Sequence, residues 1–385
     1  MPESLAHSPE PVDRRGLVAV DRAIAELRRG APVVVGDGAA AAVVLAAEMA
    51  EVEGVGRLLA LAGGSAWLAL TAQRAAVLGL TTGTTPAAGR AVATLLPIGA
   101  AGDAESLRRL ADPTTMAPVY GLPATVDTQA AFAAYARAAI ELAKLARLLP
   151  AAIFGMLPAE RSDHGIDGAG TDDLLSVGVG QIAGYEILAA RSLTPVSEAR
   201  VPLAGAEATR IIAFRPADGG VEHLAIIIGD PPVDRPALTR LHSACFTGDL
   251  LGSLRCDCGE QLKGAIAEIA RQGSGLLLYL AQEGRGIGLV NKLRAYRLQD
   301  RGADTVDANL QLGFDADERI YLPAAEMLRQ LGYPAVRLMT NNPEKVAGLA
   351  RSGIAVVERV PHVFPSNQHN EGYLETKANR FGHMF

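Results

Sequence analysis

Residues 240–280 read RLHSACFTGDLLGSLRCDCGEQLKGAIAEIARQGSGLLLYL. The period of this stretch changes along its length. Over 261–271 the apolar residues Leu262, Ala265, Ile266 and Ile269 recur at helical spacing, and Gly273 stops the run. Residues 276–280 are then an unbroken apolar run of strand length, as a strand buried on both faces gives. A polar segment with three cysteines precedes the helix. This order of elements predicts a mixed α/β domain.

The same reading extends outward in both directions. Downstream, a polar Gly-rich loop (282–288) leads into a helix over 289–300. A strand over 336–339 is followed by a turn at 340–342, where Asn342 is a good N-cap and Pro343 suits the first helical position. Upstream, strand-like runs at 209–213 and 223–228 flank the turn-like 216–220, which predicts a hairpin. Further upstream the chain changes character near residue 190, becoming rich in Ala, Gly and Leu. We place a domain boundary in 190–198, where Pro195 and Ser197 separate two patterned regions. This gives a two-domain chain, 1–190 and 191–385. The first domain opens with a helix whose apolar positions include Val18, Ile24 and Leu27, stopped by Gly30. A strand over 33–35 follows, and a helix over 128–149 alternates with an apolar run over 151–154. Residues 1–15 read as a flexible tail.

At 385 residues, 49% hydrophobic and 20% charged, the composition is that of a soluble globular protein of two or three domains. A formal net charge of −6 argues against broad binding to nucleic acid or an anionic membrane. Apolar stretches are broken well short of a membrane span, and the first residues do not form a signal peptide. A cytoplasmic enzyme is expected.

Only three cysteines occur, Cys245, Cys256 and Cys258. An odd, clustered set points to metal or thiol chemistry rather than disulfides. Thiolates suit Zn²⁺, and three protein ligands leave a fourth tetrahedral position for water. Spacing alone leaves open a catalytic zinc, a structural zinc completed by a histidine such as His242, and three buried thiols. Arg240, His242, Ser243, Thr247 and Asp249 crowd the first cysteine. Glu283, Gly284 and Arg285 sit in a loop after a strand. The turn from Thr340 to Lys345 puts free backbone N–H groups and a lysine at a helix N-terminus, a ready anion site. Taken singly each feature has a bland reading, with Lys345 as a surface charge. Together with the thiols they favour a phosphorylated substrate held beside zinc. Asp317 and Arg319 read from chemistry alone as a solvent-facing pair, and His369 and Asn370 are equally uninformative.

The runs RLHSACFTGDLLGSLRCDCGEQL, LYLAQEGRGIGLVNKLRAYRLQD, DTVDANLQLGF and RLMTNNPEKVAGL, in this order, resemble GTP cyclohydrolase II over 193–385. The resemblance implies a zinc enzyme that converts GTP to 2,5-diamino-6-(5-phosphoribosylamino)pyrimidin-4-one, formate and pyrophosphate, beginning riboflavin synthesis. It implies one zinc on Cys245, Cys256 and Cys258, Mg²⁺ with the GTP phosphates, and a homodimer. Arg240, Leu241, His242, Ser243, Ala244, Gln261, Glu283, Gly284, Arg285, Thr305, Thr340 and Lys345 match the family's GTP-contacting positions. Asp317 matches its proton acceptor, Arg319 its nucleophile toward the α-phosphate, and Tyr296 an active-site tyrosine. Ala244 departs from the family, which usually has Glu there. Alternatives are a related ring-opening hydrolase with another substrate, or a zinc-binding regulatory protein without catalysis.

The first domain resembles 3,4-dihydroxy-2-butanone 4-phosphate synthase through AIAELRRGAPVVV (23–35), 46–48, 150–157 and 173–190. In that family a dense acidic run after the first strand supplies metal ligands and proton carriers. Here the strand is followed by Gly36, Asp37, Gly38 and four alanines, with Glu48 the next carboxylate. No histidine occurs between His7 and His164, where the family places a metal ligand. The domain is therefore expected to fold without that activity and to act as a scaffold.

Overall fold

The computed structural model describes residues 13–38, 40–80, 93–101, 103–115, 125–126, 130–158, 173–364, 380 and 382. The expected mixed α/β class in two parts is what it shows. In the first part the strands are β1 (Val33–Gly36), β2 (Ala41–Ala46), β3 (Trp67–Leu70), β4 (Thr94–Pro97), β5 (Thr125–Val126), β6 (Ala151–Met156) and β7 (Ser176–Gly178). They form one sheet in the order β5-β4-β3-β6-β2-β1-β7. Strands β1 and β2 are buried along their whole length, as expected of runs with no polar side chain. One face of this sheet is covered by helices Arg14–Arg28 and Ala130–Leu145, which share a core with Val33, Val35, Val44 and Phe154.

The first helix begins inside the stretch read as a tail. The Asp13 side chain accepts from Gly16 N at 3.0 Å, satisfying one of the free donors at a helix start. The rest of that expected tail, 1–12, lies outside the described residues, as do His164, His369 and Asn370. The helix buries Leu17, Val20, Ala23, Ile24 and Leu27. Val18 is only half-buried, because it lies about 100° round the helix from Leu17.

The second part contains β8 (Thr194–Arg200), β9 (Thr209–Arg215), β10 (His223–Ile228), β11 (Ala237–Ser243), β12 (Gly275–Leu280), β13 (Ala335–Met339) and β14 (Ala355–Val360), in the order β14-β13-β11-β12-β10-β9-β8. The expected hairpin is present as the antiparallel pair β9–β10. Strands β12, β11, β13 and β14 run parallel. Residues 194–198, within the stretch expected to hold the domain boundary, belong to β8, an exposed edge strand paired with β9. Its register slips between Pro195 and Ser197, so the proline sits where an edge strand tolerates a missing donor.

Helix Val179–Arg191 runs into β8 with only Ser192 and Leu193 between them. The two parts also share a core on the other face of the first sheet. There Ile287, Ala295, Leu298, Ala308, Leu312 and Phe314 of the second part pack with Leu45, Leu58, Leu70 and Leu107 of the first. Polar groups bind the same seam. Arg74, 1% exposed, donates to Leu110 O at 2.8 Å and to Gln311 O at 3.3 Å. Arg294 reaches Glu48 at 2.8 Å and Asp112 at 3.2 Å.

Candidate active site

Strands β11, β12 and β13 end on one side, and the segments that follow them open a cavity of about 650 Å³. A crevice at the carboxyl ends of parallel strands is where open α/β sheets place their ligands. The segment after β11 carries Ala244 and Cys245, that after β12 carries Glu283, Gly284 and Arg285, and that after β13 carries Thr340. Helix Leu289–Gln299 contributes Tyr296, and helix Thr305–Gln311 contributes Thr305 at its first position.

The three thiols meet in the cavity wall, with their sulfurs within 4.8 Å of one another. Cys245 Sγ lies 3.8 Å from Cys256 Sγ. Convergence depends on Gly248, where a Cβ would fall 2.9 Å from Cys256 Sγ and 3.1 Å from Cys245 Sγ. Such crowding has electrostatic consequences. Hydrogen bonds from its two neighbours, and then Lys292, hold the Cys245 thiol far below its ordinary range. Facing that thiolate, Cys256 is pushed up to about 11 and Cys258 is raised further. Three ionised thiols would therefore repel strongly unless a cation sat among them, which is how a soft metal site behaves. Among the described residues no His, Asp or Glu joins the trio. His242 is occupied otherwise. Its Nε2 lies 3.0 Å from Asp249 Oδ1, and the same carboxylate accepts from Cys245 N at 3.0 Å and from Tyr279 OH at 2.9 Å. His242 thus lines the cavity and holds Asp249, which in turn anchors the backbone of the first thiol.

A cationic wall lies across β11 and β13. Arg240 is buried; its Nη1 donates to Met339 O at 3.0 Å and its Nη2 to Gln261, while Nε has no protein partner. Burial brings its guanidinium down to about 10. Lys345 is also buried, 6% exposed, and donates to Leu241 O at 2.7 Å, so the reading of it as a surface charge is excluded. Asn342 caps its helix, accepting from Glu344 N, with Pro343 in the first turn as expected. Leu241 turns its side chain into the core and meets the site through its carbonyl. Ser243 accepts from Gln282 Nε2 at 3.0 Å, and Thr340 caps the following turn by accepting from Asn342 N.

Glu283 accepts from Phe246 N at 2.6 Å and from Lys292 Nζ at 2.9 Å, tying the β12 loop to the thiol loop. Next to it, Arg285 has φ +62°, a left-handed conformation that costs a side-chain-bearing residue about 1–2 kcal/mol. Asp317 does not line the cavity, but Arg319 does, and they pair two residues apart. Arg319 Nε donates to Asp317 Oδ1 at 2.8 Å, and Nη2 to Oδ2. Burial alone would raise the Asp317 carboxyl, but the Arg319 guanidinium and its hydrogen bonds hold it below the usual range. The pair is therefore not simply solvent-facing, as charge pattern alone suggested.

Lys292 escaped the sequence reading. It reaches Cys245 Sγ at 3.0 Å and Thr247 Oγ1 at 2.9 Å. Its spacing of four from Tyr296 on one helix face was the available signal.

A family model described as GTP cyclohydrolase II matches residues 194–361. A GTP cyclohydrolase-2 of Azospirillum brasilense is 57% identical over 381 residues, covering 97% of this chain and 96% of that protein. A GTP cyclohydrolase-2 of Aeromonas hydrophila is 52% identical over 194 residues, 50% of this chain and 98% of its own. A riboflavin biosynthesis protein, RibBA, of Phocaeicola vulgatus is 41% identical over 73% of this chain and 72% of its own. Among solved structures, a two-domain 3,4-dihydroxy-2-butanone 4-phosphate synthase from A. baumannii covers 90% of this chain and 99% of its own, at 18% identity and a TM-score of 0.36.

Proposed function

Because the chain belongs to the GTP cyclohydrolase II family, we propose that its cavity is the site where GTP loses pyrophosphate and has its imidazole ring opened, the entry step to riboflavin. The observation that carries this reading is the meeting of three convergent thiols and a buried cationic wall in one cavity. Neither alone suits a nucleoside triphosphate whose base is to be hydrolysed.

Cys245, Cys256 and Cys258 would hold one zinc, and zinc there would supply Lewis-acid activation of the water that opens the ring. The chain's own groups divide the remaining work. Arg240, with a free Nε, and Lys345 offer positive charge in a low-dielectric wall, where it is worth most to phosphate oxygens. In the roles the family resemblance implies, Arg319 would take up the α-phosphate with Asp317 as its proton acceptor; the two are joined by the Nε–Oδ1 hydrogen bond of 2.8 Å. Gln261, Glu283, Gly284, Thr305 and Thr340 line the same cavity and would be left to contact ribose and base, and Tyr296 lies beside Thr247 at 3.5 Å near the thiols. Mg²⁺ would enter with the triphosphate as its counter-ion. We take the enzyme to act in the cytoplasm, where free thiols persist, and as a homodimer, the usual state of the family.

The first part we assign as a domain (1–190) without synthase activity. Asp37 is exposed and caps its own turn, accepting from Ala40 N at 3.1 Å. Glu48, the next carboxylate, accepts from Arg294 at 2.8 Å and from Leu149 N at 2.8 Å, so one oxygen serves the seam and the other the first part's own backbone. The test is a pair of incubations with Zn²⁺-replete protein and Mg²⁺. GTP should yield formate and the diaminopyrimidinone, and ribulose 5-phosphate should yield no formate above background. Failure with GTP would sink the cyclohydrolase reading; clear turnover of ribulose 5-phosphate, lost in Asp37→Ala, would restore the synthase.

Lys345→Met keeps most of the buried stem and removes the charge. It should weaken GTP by one charge-assisted contact, about 1.5–3 kcal/mol or roughly ten- to 150-fold in KM. An unchanged KM with normal turnover would reduce Lys345 to a strut under Leu241.

A further inference from the structure

We infer that the end of helix Ala130–Leu145, in the first part of the chain, is a positioning element of the cyclohydrolase site, acting through Lys144 and Arg147. The inference rests on the cyclohydrolase reading above and names which contacts make the first part necessary.

Lys144 lies in the last turn of that helix. Its Nζ donates to Glu318 Oε1 at 2.7 Å, with the two side chains 17% and 20% exposed. Glu318 stands between Asp317 and Arg319 in sequence, and it turns its carboxylate to the first part. The same Oε1 accepts from Asp315 N at 2.8 Å, which closes the 315–318 turn. Glu318 N donates to Arg285 O at 3.1 Å, which joins this turn to the loop after β12. Lys144 thus anchors the segment carrying Asp317 and Arg319 and, through it, the strained Arg285; it also lies 3.7 Å from Asp315 Oδ2, whose other oxygen accepts from Gln73 Nε2 at 2.7 Å. The desolvation of Lys144 is outweighed by the carboxylates of Glu318, Asp315 and Glu141 together, which keeps the ammonium charged.

Arg147 holds the other end of the loop after β12. Its Nη2 donates to Ala281 O at 3.1 Å, and its carbonyl accepts from Asn291 Nδ2 at 3.0 Å. Its side chain lies against Gly288, where a Cβ would fall 3.1 Å from Arg147 Cβ and 3.2 Å from its Cδ. Arg147 has φ +56° in the turn that ends the helix, where Leu148 N donates to Ala143 O at 3.0 Å. His223 Nδ1 accepts from Ala281 N at 3.0 Å, so Ala281 is held from both sides. The loop with Glu283, Gly284 and Arg285 is thus pinned at its start by Arg147 and at its middle by Glu318. Neither Lys144 nor Arg147 lines the cavity, so they act through other residues.

A shift of about 1 Å in a catalytic group can cost on the order of a hundredfold in rate. Lys144→Met in the full chain should accordingly lower kcat roughly ten- to hundredfold, with KM for GTP and zinc content near wild type. Lys144→Arg, which can still reach Glu318, should recover most of the loss. Glu318→Gln should lower kcat similarly, and the double variant should be no worse than either alone. A second measurement is independent of turnover. In substrate-free protein, hydrogen exchange at 281–288 and 315–319 should speed up in Lys144→Met and stay unchanged in the strands of the second sheet. Wild-type kcat in Lys144→Met, or unchanged exchange in those two segments, would overturn the inference. Wild-type protein that released no formate from GTP would instead overturn the cyclohydrolase reading, leaving the exchange result to decide the positioning role by itself.

Discussion

Cys256→Ser is expected to leave a folded protein that has lost its metal and its formate release. A serine hydroxyl is neither soft nor ionised near neutral pH, so two thiolates would remain where three are needed. Losing a supporting group outside the ligand set typically costs 10–100-fold in metal affinity; loss of a ligand should exceed that, about 10³-fold or more. Cys256 is half-buried, and the exchange removes little packing, so melting without metal should be close to that of metal-free wild type. Metal analysis and formate assay on the same samples check this. Active wild-type protein containing no zinc would end the zinc reading, and full activity in Cys256→Ser would remove that thiol from it.

Arg319→Ala should abolish pyrophosphate release while zinc stays bound, because Arg319 is paired with Asp317 and the metal site rests on other residues. The expected loss is at least about 10²–10³-fold, the scale of removing one group that stabilises developing charge. The substitution also frees a half-buried carboxylate. In wild type, Asp317 is held below its ordinary value, so the pair contributes stability above the unfolded carboxyl pKa, and this is lost as pH falls through the folded one. In Arg319→Ala that acid-side contribution should disappear. Arg319→Lys keeps a charge near Asp317 without the two-pronged fork, and should fold well yet remain inactive. Near-normal turnover in either variant would exclude Arg319 as the phosphate-accepting group.

What could be read from the chain without its structure was set by period and by chemistry. Buried strands such as Leu276–Leu280 and the capped turn at Asn342 declare themselves because a single local rule governs each. The thiol trio was legible because cysteine is rare here and carries its own chemistry. Strand β8 was not legible, since all seven of its residues are exposed and no alternation of burial marks it. Lys345 was ambiguous for the opposite reason. A lysine past a helix N-cap looks solvated until Leu241, more than a hundred residues away, is seen to supply its carbonyl. Asp317 was unreadable because its environment comes from Arg319 under burial, and burial is a tertiary property. Lys144 and Arg147 could not have been found at all, as their partners lie in the other half of the chain.

The shared core at the seam makes the two halves unequal in what they can lose. A polypeptide begun at residue 193 would carry Ile287, Leu298, Leu312 and Phe314 with no cover from Leu45, Leu58, Leu70 and Leu107. An oily surface of that kind invites association. Asp37, by contrast, is exposed, in a turn held by its bond from Ala40 N and by Tyr135 OH donating to Ala40 O at 2.8 Å. The bulk of the first half therefore serves the second half's core, whatever chemistry its own exposed turns carry.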